Sequence, residues 1–270
     1  PRAGYNVIVS SELLLLHDGI VVAFDDGIIR KYTTDGKLLW SYTTTFQPQR
    51  VFAADAQGNI AIGLHSNDIA ATDSLIMLNA NGTERWAHAL HNTRITSNAI
   101  VLRNGTIVIG GERRSDGGVF PVLHCYSQTG QSLWSRNTVD TPRGLSVSDD
   151  TSFVVSGIAS VLFAEPKSSV RLHSVTSGDV VWELFYQAAI VSSAIVSENY
   201  ITFVATQNKA TGVYRMNKGG ANVELLSVSD TPLFIPEPAL APNGTLIFSL
   251  RDYCGTLRVG KREAFGLVPL

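Results

Sequence analysis

Tyr32-Thr-Thr-Asp-Gly-Lys-Leu-Leu-Trp40, Leu78-Asn-Ala-Asn-Gly-Thr-Glu-Arg-Trp86, Tyr126-Ser-Gln-Thr-Gly-Gln-Ser-Leu-Trp134 and Ser174-Val-Thr-Ser-Gly-Asp-Val-Val-Trp182 are four copies of one pattern. In each, a turn-forming Gly precedes Trp by four residues, and the tryptophans stand 46, 48 and 48 residues apart. The chain has only 4 Trp, so every one of them obeys the rule. A fixed period of this length is the signature of a repeat architecture.

A second ladder runs between these turns. Asp18-Gly19, Gln57-Gly58, Asn104-Gly105, Asp149-Asp150, Glu198-Asn199 and Asn243-Gly244 each precede a short apolar run, at intervals of 39, 47, 45, 49 and 45 residues. The 26 residues after Gly244 and the 19 that end at Gly19 together supply one more period. Each unit therefore holds two hairpin turns between Val-, Ile-, Leu- and Thr-rich runs. Asn-Gly and Asp-Gly are expected to supply the positive φ of tight turns there. No amphipathic helical stripe interrupts the pattern. Four short strands, named A to D from the axis outward, fill one unit. The expected fold is all-β: a six-bladed β-propeller of four-stranded antiparallel blades, closed through the two termini, with residues 1–270 as a single propeller domain. The fifth unit departs from the rule, since Gly219-Gly220 is followed by Val223 and Glu224 where Trp is due. In the sixth, strand D is expected over 264–269.

The four Gly-to-Trp segments resemble the tryptophan-docking repeat of the PQQ-like, or quinoprotein-alcohol-dehydrogenase-like, propellers. The Ala and Asp of that repeat are mostly absent here. The resemblance implies a fold more than a chemistry. Catalytic members are usually eight-bladed and carry a vicinal Cys-Cys pair over the quinone. Here Cys125 and Cys254 lie far apart and six units are counted. Non-catalytic relatives serve as sensor, scaffold or assembly modules, so no cofactor is expected.

Composition narrows the rest. Hydrophobic content is 44% and charged content 16%, which excludes a disordered chain. A net charge of −2 argues against nucleic acid as a partner, and no apolar run is long enough to insert in a membrane as a helix. Low charge with many Ser, Thr and Asn residues suits an extracellular or cell-envelope protein. The opening Pro1-Arg2-Ala3-Gly4 suggests a processed product or one domain of a larger assembly. With the two cysteines in opposite blades, two free thiols are expected.

Function is expected on the face built from the B–C and D–A connections, where Ser66–Ser74, Arg113–Pro121 and Ala159–Ser169 read as long loops. Residues after strand B are mostly polar: Asp25, His65, Glu112, Gln207 and Arg251, with Arg50 facing them from strand A. Together they form a candidate ligand-binding ring for a protein, peptide or glycan. His65 beside Asp68 or Glu112 could serve as a base, and Arg50 or Arg251 could hold an anion. The alternatives are a saccharide-acting hydrolase or lyase at the channel mouth, with Tyr253 added, and, more remotely, a quinone-dependent oxidoreductase. No catalytic residue is identified. No metal site is expected, because His65, Asp73 and Glu112 lack local ligand spacing and His88 and His91 would point to opposite strand faces. His124 and His173 read as packing residues of strand C. Asn81, Asn104 and Asn243 each open Asn-Gly-Thr, a glycosylation acceptor pattern that also makes a good turn.

Overall fold

The computed structural model describes residues 13–24, 26–44, 47–66, 72–148, 151–158, 168–186, 190–191, 194–207, 210–229, 239–240, 246–251, 257–263 and 266–269. The chain divides into two compact units, 1–137 and 138–270.

The first unit carries three antiparallel sheets, each four strands in sequence order. Sheet one is β1 (Leu14–Leu16), β2 (Gly19–Ala23), β3 (Ile28–Tyr32) and β4 (Leu38–Thr43). Sheet two is β5 (Gln47–Ala54), β6 (Ile60–His65), β7 (Asp73–Leu78) and β8 (Glu84–Leu90). Sheet three is β9 (Thr93–Val101), β10 (Ile107–Ser115), β11 (Gly118–Tyr126) and β12 (Ser132–Asn137). In the second unit, sheet four is β13 (Thr141–Val147), β14 (Ser152–Ile158), β15 (Ser168–Ser174) and β16 (Val180–Tyr186). Sheet five has β17 (Ile190–Val191) and β18 (Ile195–Val196) sharing the edge of β19 (Tyr200–Gln207), then β20 (Ala210–Asn217) and β21 (Glu224–Ser229). The last sheet is β22 (Ala239–Leu240), β23 (Leu246–Arg251), β24 (Leu257–Glu263) and β25 (Gly266–Pro269). Each sheet corresponds to one repeat of the sequence.

Side chains alternate across a strand, and sheet two shows why its inner strands are apolar at every position. Ile60, Ile62 and Leu64 of β6, with Ile76 and Leu78 of β7, pack on Val21, Ala23 and Ile29 of sheet one. Ala61, Leu75 and Met77 point the other way, onto Ile95, Ala99, Ile107 and Ile109 of sheet three. A sheet covered on both faces needs apolar residues at both parities. The outer strand β8 is only partly covered and shows an alternating exposure pattern. In the second unit, Val154 and Val170 of sheet four meet Ile201, Phe203, Ala205 and Met216 of sheet five in the same way.

Three of the tryptophans latch their sheet to the following one within the same unit. Trp40 Nε1 donates to the Ala80 carbonyl at 3.0 Å, Trp86 Nε1 to Gln128 at 3.1 Å and Trp182 Nε1 to Lys218 at 2.9 Å. Each acceptor sits two residues before the Gly of the next sheet's outer turn. The ring lies on that Gly: a Cβ built on Gly82 would meet Trp40 at 2.6 Å, on Gly130 Trp86 at 2.9 Å, and on Gly220 Trp182 at 2.8 Å. Gly220, in a repeat that itself lacks Trp, thus still receives one. Glu224 stands in the missing Trp's place, opposite Arg215. The Arg215 guanidinium bonds its carboxylate at 2.7 Å and covers the Tyr200 ring at 4.6 Å.

These turns differ from the expected tight hairpin in one respect. In the outer turns of sheets one, two, three and five, residue i donates its N–H to the carbonyl of i+4, and the Gly at i+3 donates back to i, as in Asn79–Thr83 and Ser127–Gln131. Only the Gly takes positive φ; Asn81 and Asn104 do not. The extra residue appears as a bulge just before each Trp, at Leu39, Arg85, Leu133 and Val181. Without that offset, Trp would lie on the opposite face of the strand.

Gly36 and Gly82 have nearly the same backbone, φ 85° and 83°, but a Cβ on Gly36 would find open space. Gly36→Ala is expected to cost about 1 kcal/mol, the left-handed penalty alone. Gly82→Ala should cost about 1–3 kcal/mol more, because it also pushes Trp40 off its seat. Urea unfolding of the two variants side by side measures the difference.

Candidate functional site

The ends of the B strands, where binding is expected, are held by buried polar groups. Asp73 opens β7 and is 1% exposed. One carboxylate oxygen accepts the backbone N–H of Ser66 at 3.2 Å and lies 2.8 Å from His65 Nδ1; the other accepts the N–H of Ile95 at 2.7 Å. A single side chain thus pins the end of β6, its own strand and the first strand of the next sheet. His65 is part-exposed, so its ring is a surface group oriented by a buried acid.

Sheet four has a second such cluster. Arg171, 2% exposed, ion-pairs with Asp140 at 3.1 Å and with Glu183 at 3.0 Å, and its guanidinium covers the Phe185 ring at 5.5 Å. Ser169 donates to the same Asp140 carboxylate. A buried guanidinium needs this set of partners to offset its desolvation. At the opposite turn end of sheet one, Lys31, 1% exposed, bonds Asp18 at 2.7 Å, which holds the Asp18 carboxyl below its ordinary range.

Of the residues singled out in the sequence, His65 ends β6 opposite Gln47, Gln207 ends β19 opposite Ala210, and Arg251 ends β23 opposite Leu257. Arg50 falls in the irregular stretch of β5 between Pro48 and Phe52. Glu112 is not at a strand end. It lies inside β10, between Arg94 of β9 and Pro121 of β11. Asp25, Asp68, Tyr253 and Asn243 lie outside the described residues. The structure therefore brings His65 to Asp73 and Glu112 to Arg94. Gln207 and Arg251 belong to the second unit. Among the described residues, no three His, Cys, Asp or Glu side chains gather into a metal-binding group. Neither Asp73 as an anchor nor the Asp140–Arg171 pair was singled out. An isolated Asp before an apolar run carries no sequence signal of burial.

The Arg113–Pro121 segment, expected as a loop, is strand. The β10–β11 ladder continues to Ser115 opposite Gly118 around a two-residue Asp116-Gly117 tip. Its outer neighbour β12 ends at Asn137 opposite Val122, so 118–121 run beyond it by about 13 Å. Arg114 N–H donates to the Asn92 carbonyl at 2.7 Å and Arg113 Nη2 to Asn137 Oδ1 at 2.8 Å, which hold the hairpin to its own sheet. Val119 is 54% exposed and Phe120 38%.

The remaining marked residues have structural roles. Asn81 Oδ1 accepts from the Thr83 N–H and Asn104 Oδ1 from the Thr106 N–H, closing their turns at exposed positions. His88 stacks on Tyr126 at 5.5 Å and stands 5.1 Å from Trp86. Cys125 is a free, buried thiol pushed up to about 12 by burial, hence inert; Cys254 lies outside the described residues. His173 Nδ1–H donates to the Gly178 carbonyl at 2.9 Å. Burial pushes both His173 and His124 down, His124 to about 4. No helix among the described residues is long and apolar enough to cross a membrane.

Consecutive small antiparallel sheets, one per sequence repeat, with Trp latches from sheet one to two, two to three and four to five, mark the β-propeller class. Residues 6–183 match the family model described as outer membrane protein assembly factor BamB, within the PQQ-like repeat group. The match spans more than half of the chain, and the chain belongs to that family. Among solved structures, BamB from Moraxella catarrhalis is similar at 14% identity and a TM-score of 0.61, covering 98% of this chain and 89% of that one. The Dos1 propeller is similar at 13% identity and a TM-score of 0.66, covering 97% and 70%. A Bacteroides caccae protein of unknown function is similar at 14% and 0.58, covering 90% and 89%. No curated protein matches.

Asp73→Ala would leave the buried N–H groups of Ser66 and Ile95 without their acceptor. It is expected to destabilise the protein by about 2–5 kcal/mol, against under about 1 kcal/mol for His65→Ala, by urea unfolding. His124 gives a pH dependence. Its ring takes up a proton at about 6.5 when unfolded but only near pH 4 when folded. Between these values the unfolded chain binds more protons, so the stability held above pH 6.5 is lost as pH falls toward 4. His124→Leu, which removes a ring whose buried Nε2 has no hydrogen-bond partner, should flatten the stability curve across that window.

Proposed function

We propose that this chain is a protein-interaction module of a cell-envelope assembly, built as one six-bladed ring closed through its two termini. Its binding rim is the set Asp25, Arg50, His65, Glu112, Gln207 and Arg251, with Arg50 on the first strand of its sheet and Glu112 inside β10. Family membership supports the assembly role, since the matching model describes an outer membrane assembly factor. The observation that carries the reading is the β10–β11 hairpin. It is regular, anchored at Asn92 and Asn137, and extends beyond its neighbour strand with Val119 and Phe120 in solvent. A rigid projection with apolar side chains at its end is suited to protein contact. It is less suited to glycan, which would favour a concave polar pocket. The pairing of His65 with Asp73 is the one feature that favours the saccharide-acting alternative. That pairing is equally explained by the anchoring role of Asp73.

A photo-crosslinking side chain at Val119 is expected to capture a discrete envelope protein, while the same group at Asp35, in the opposite turns, captures none. Equal labelling from both positions, or none from either, would overturn the assignment.

A further inference from the structure

The strand register sorts the hairpin's side chains into two unlike faces. On one face, Arg113 and Phe120 stand opposite each other, and Arg113 is committed to Asn137. On the other face, Arg94, Glu112 and Pro121 form one cross-strand row and Arg114 and Val119 the next; Arg136, opposite Leu123, belongs to the same face. Arg94, Arg114, Arg136 and Val119 are all exposed. Directly opposed residues hold their Cβ atoms about 5 Å apart, as Arg94 and Glu112 do. Arg114 follows two residues along β10 beside Val119, and Arg136 lies one row back on β12, so three arginines and one carboxylate are spread along a single face. This surplus of positive charge sits on a chain whose net charge is −2.

We infer that this face of the hairpin binds an acidic, extended segment of a partner protein, whose carboxylates meet Arg94, Arg114 and Arg136 while an apolar side chain covers Val119. The inference rests on the interaction-module reading and names the chemistry of its partner. Guanidinium groups bind carboxylates through paired, directional hydrogen bonds. The aliphatic Val119 and Pro121 suit a peptide. They offer a nucleic-acid base no aromatic platform, and Glu112 would repel a phosphate backbone.

The test uses the full chain and fluorescence anisotropy with three labelled peptides of equal length, alternating Glu-Val, Ser-Val and Lys-Val, and a DNA duplex. The Glu-Val peptide should bind most tightly. Its affinity should fall about tenfold in Arg94→Glu/Arg114→Glu, fall with added salt, and fall in Val119→Asp, with no change in Lys37→Glu on the distant turn. Unchanged thermal melting of the variants separates lost binding from lost folding. A Glu-Val affinity no greater than that of Lys-Val, or unaltered by the charge reversal, overturns the inference, as does tighter binding of the duplex. Equal binding of Ser-Val and Glu-Val, weakened only by Val119→Asp, overturns the acidic chemistry while leaving the hairpin an interaction surface. Failure of the Val119 crosslink together with all three peptides removes both readings.

Discussion

The structure depends on an indole lying on a glycine. Trp40, Trp86 and Trp182 each cross from one sheet to the outer turn of the following one, donate a hydrogen bond to a turn carbonyl and cover the turn Gly. Three requirements meet at that point. The turn must have a residue free to take positive φ; the same residue must lack a Cβ; and the bulge must rotate Trp onto the correct face. One side chain thereby fixes the spacing of neighbouring sheets at their outer rim, where the apolar layers thin out. The inner strands supply most of the buried area, but apolar packing alone would allow the sheets to slide.

At the other end of the sheets, polar groups do the corresponding work. Asp73 joins sheet two to sheet three through the Ile95 N–H, and Arg171 ties Asp140 to Glu183 within sheet four. The two ends therefore use different chemistry. The turn end repeats the indole-on-glycine contact, with the Lys31–Asp18 pair added in sheet one; the other end is individual and charged. A repeated rim can hold the scaffold, leaving the individual rim to vary. The β10–β11 hairpin, a departure of this kind among the described residues, lies at that second end.

What could be read from the sequence follows the same division. The Gly-to-Trp spacing marks every outer turn of the first four repeats, and the Asp-Gly and Asn-Gly turns mark the strand pairs between them, because turn chemistry is local. Even the loss of Trp at Glu224 was visible. The receiving role of Gly220 was not, since it depends on a tryptophan 38 residues earlier. The polar end was much less legible. Arg113–Pro121 contains Asp, two Gly and a Pro, a loop-like composition, yet its register with 107–112 extends the ladder. Glu112 looked like a channel residue by counting from the turn, but the longer strand places it mid-sheet beside Arg94. Asp73 gives no local sign that three groups from three segments will converge on it.

The forward direction of the latch bears on how the chain is made. Trp40, Trp86 and Trp182 each wait for a turn encoded some 40 residues downstream, as Trp86 waits for Gln128. During synthesis from the N-terminus, a newly emerged sheet can form its hydrogen bonds at once but stays unclasped until its successor has left the ribosome. Maturation would then trail translation by one repeat, and a pause placed inside a repeat would prolong the interval in which an indole remains bare.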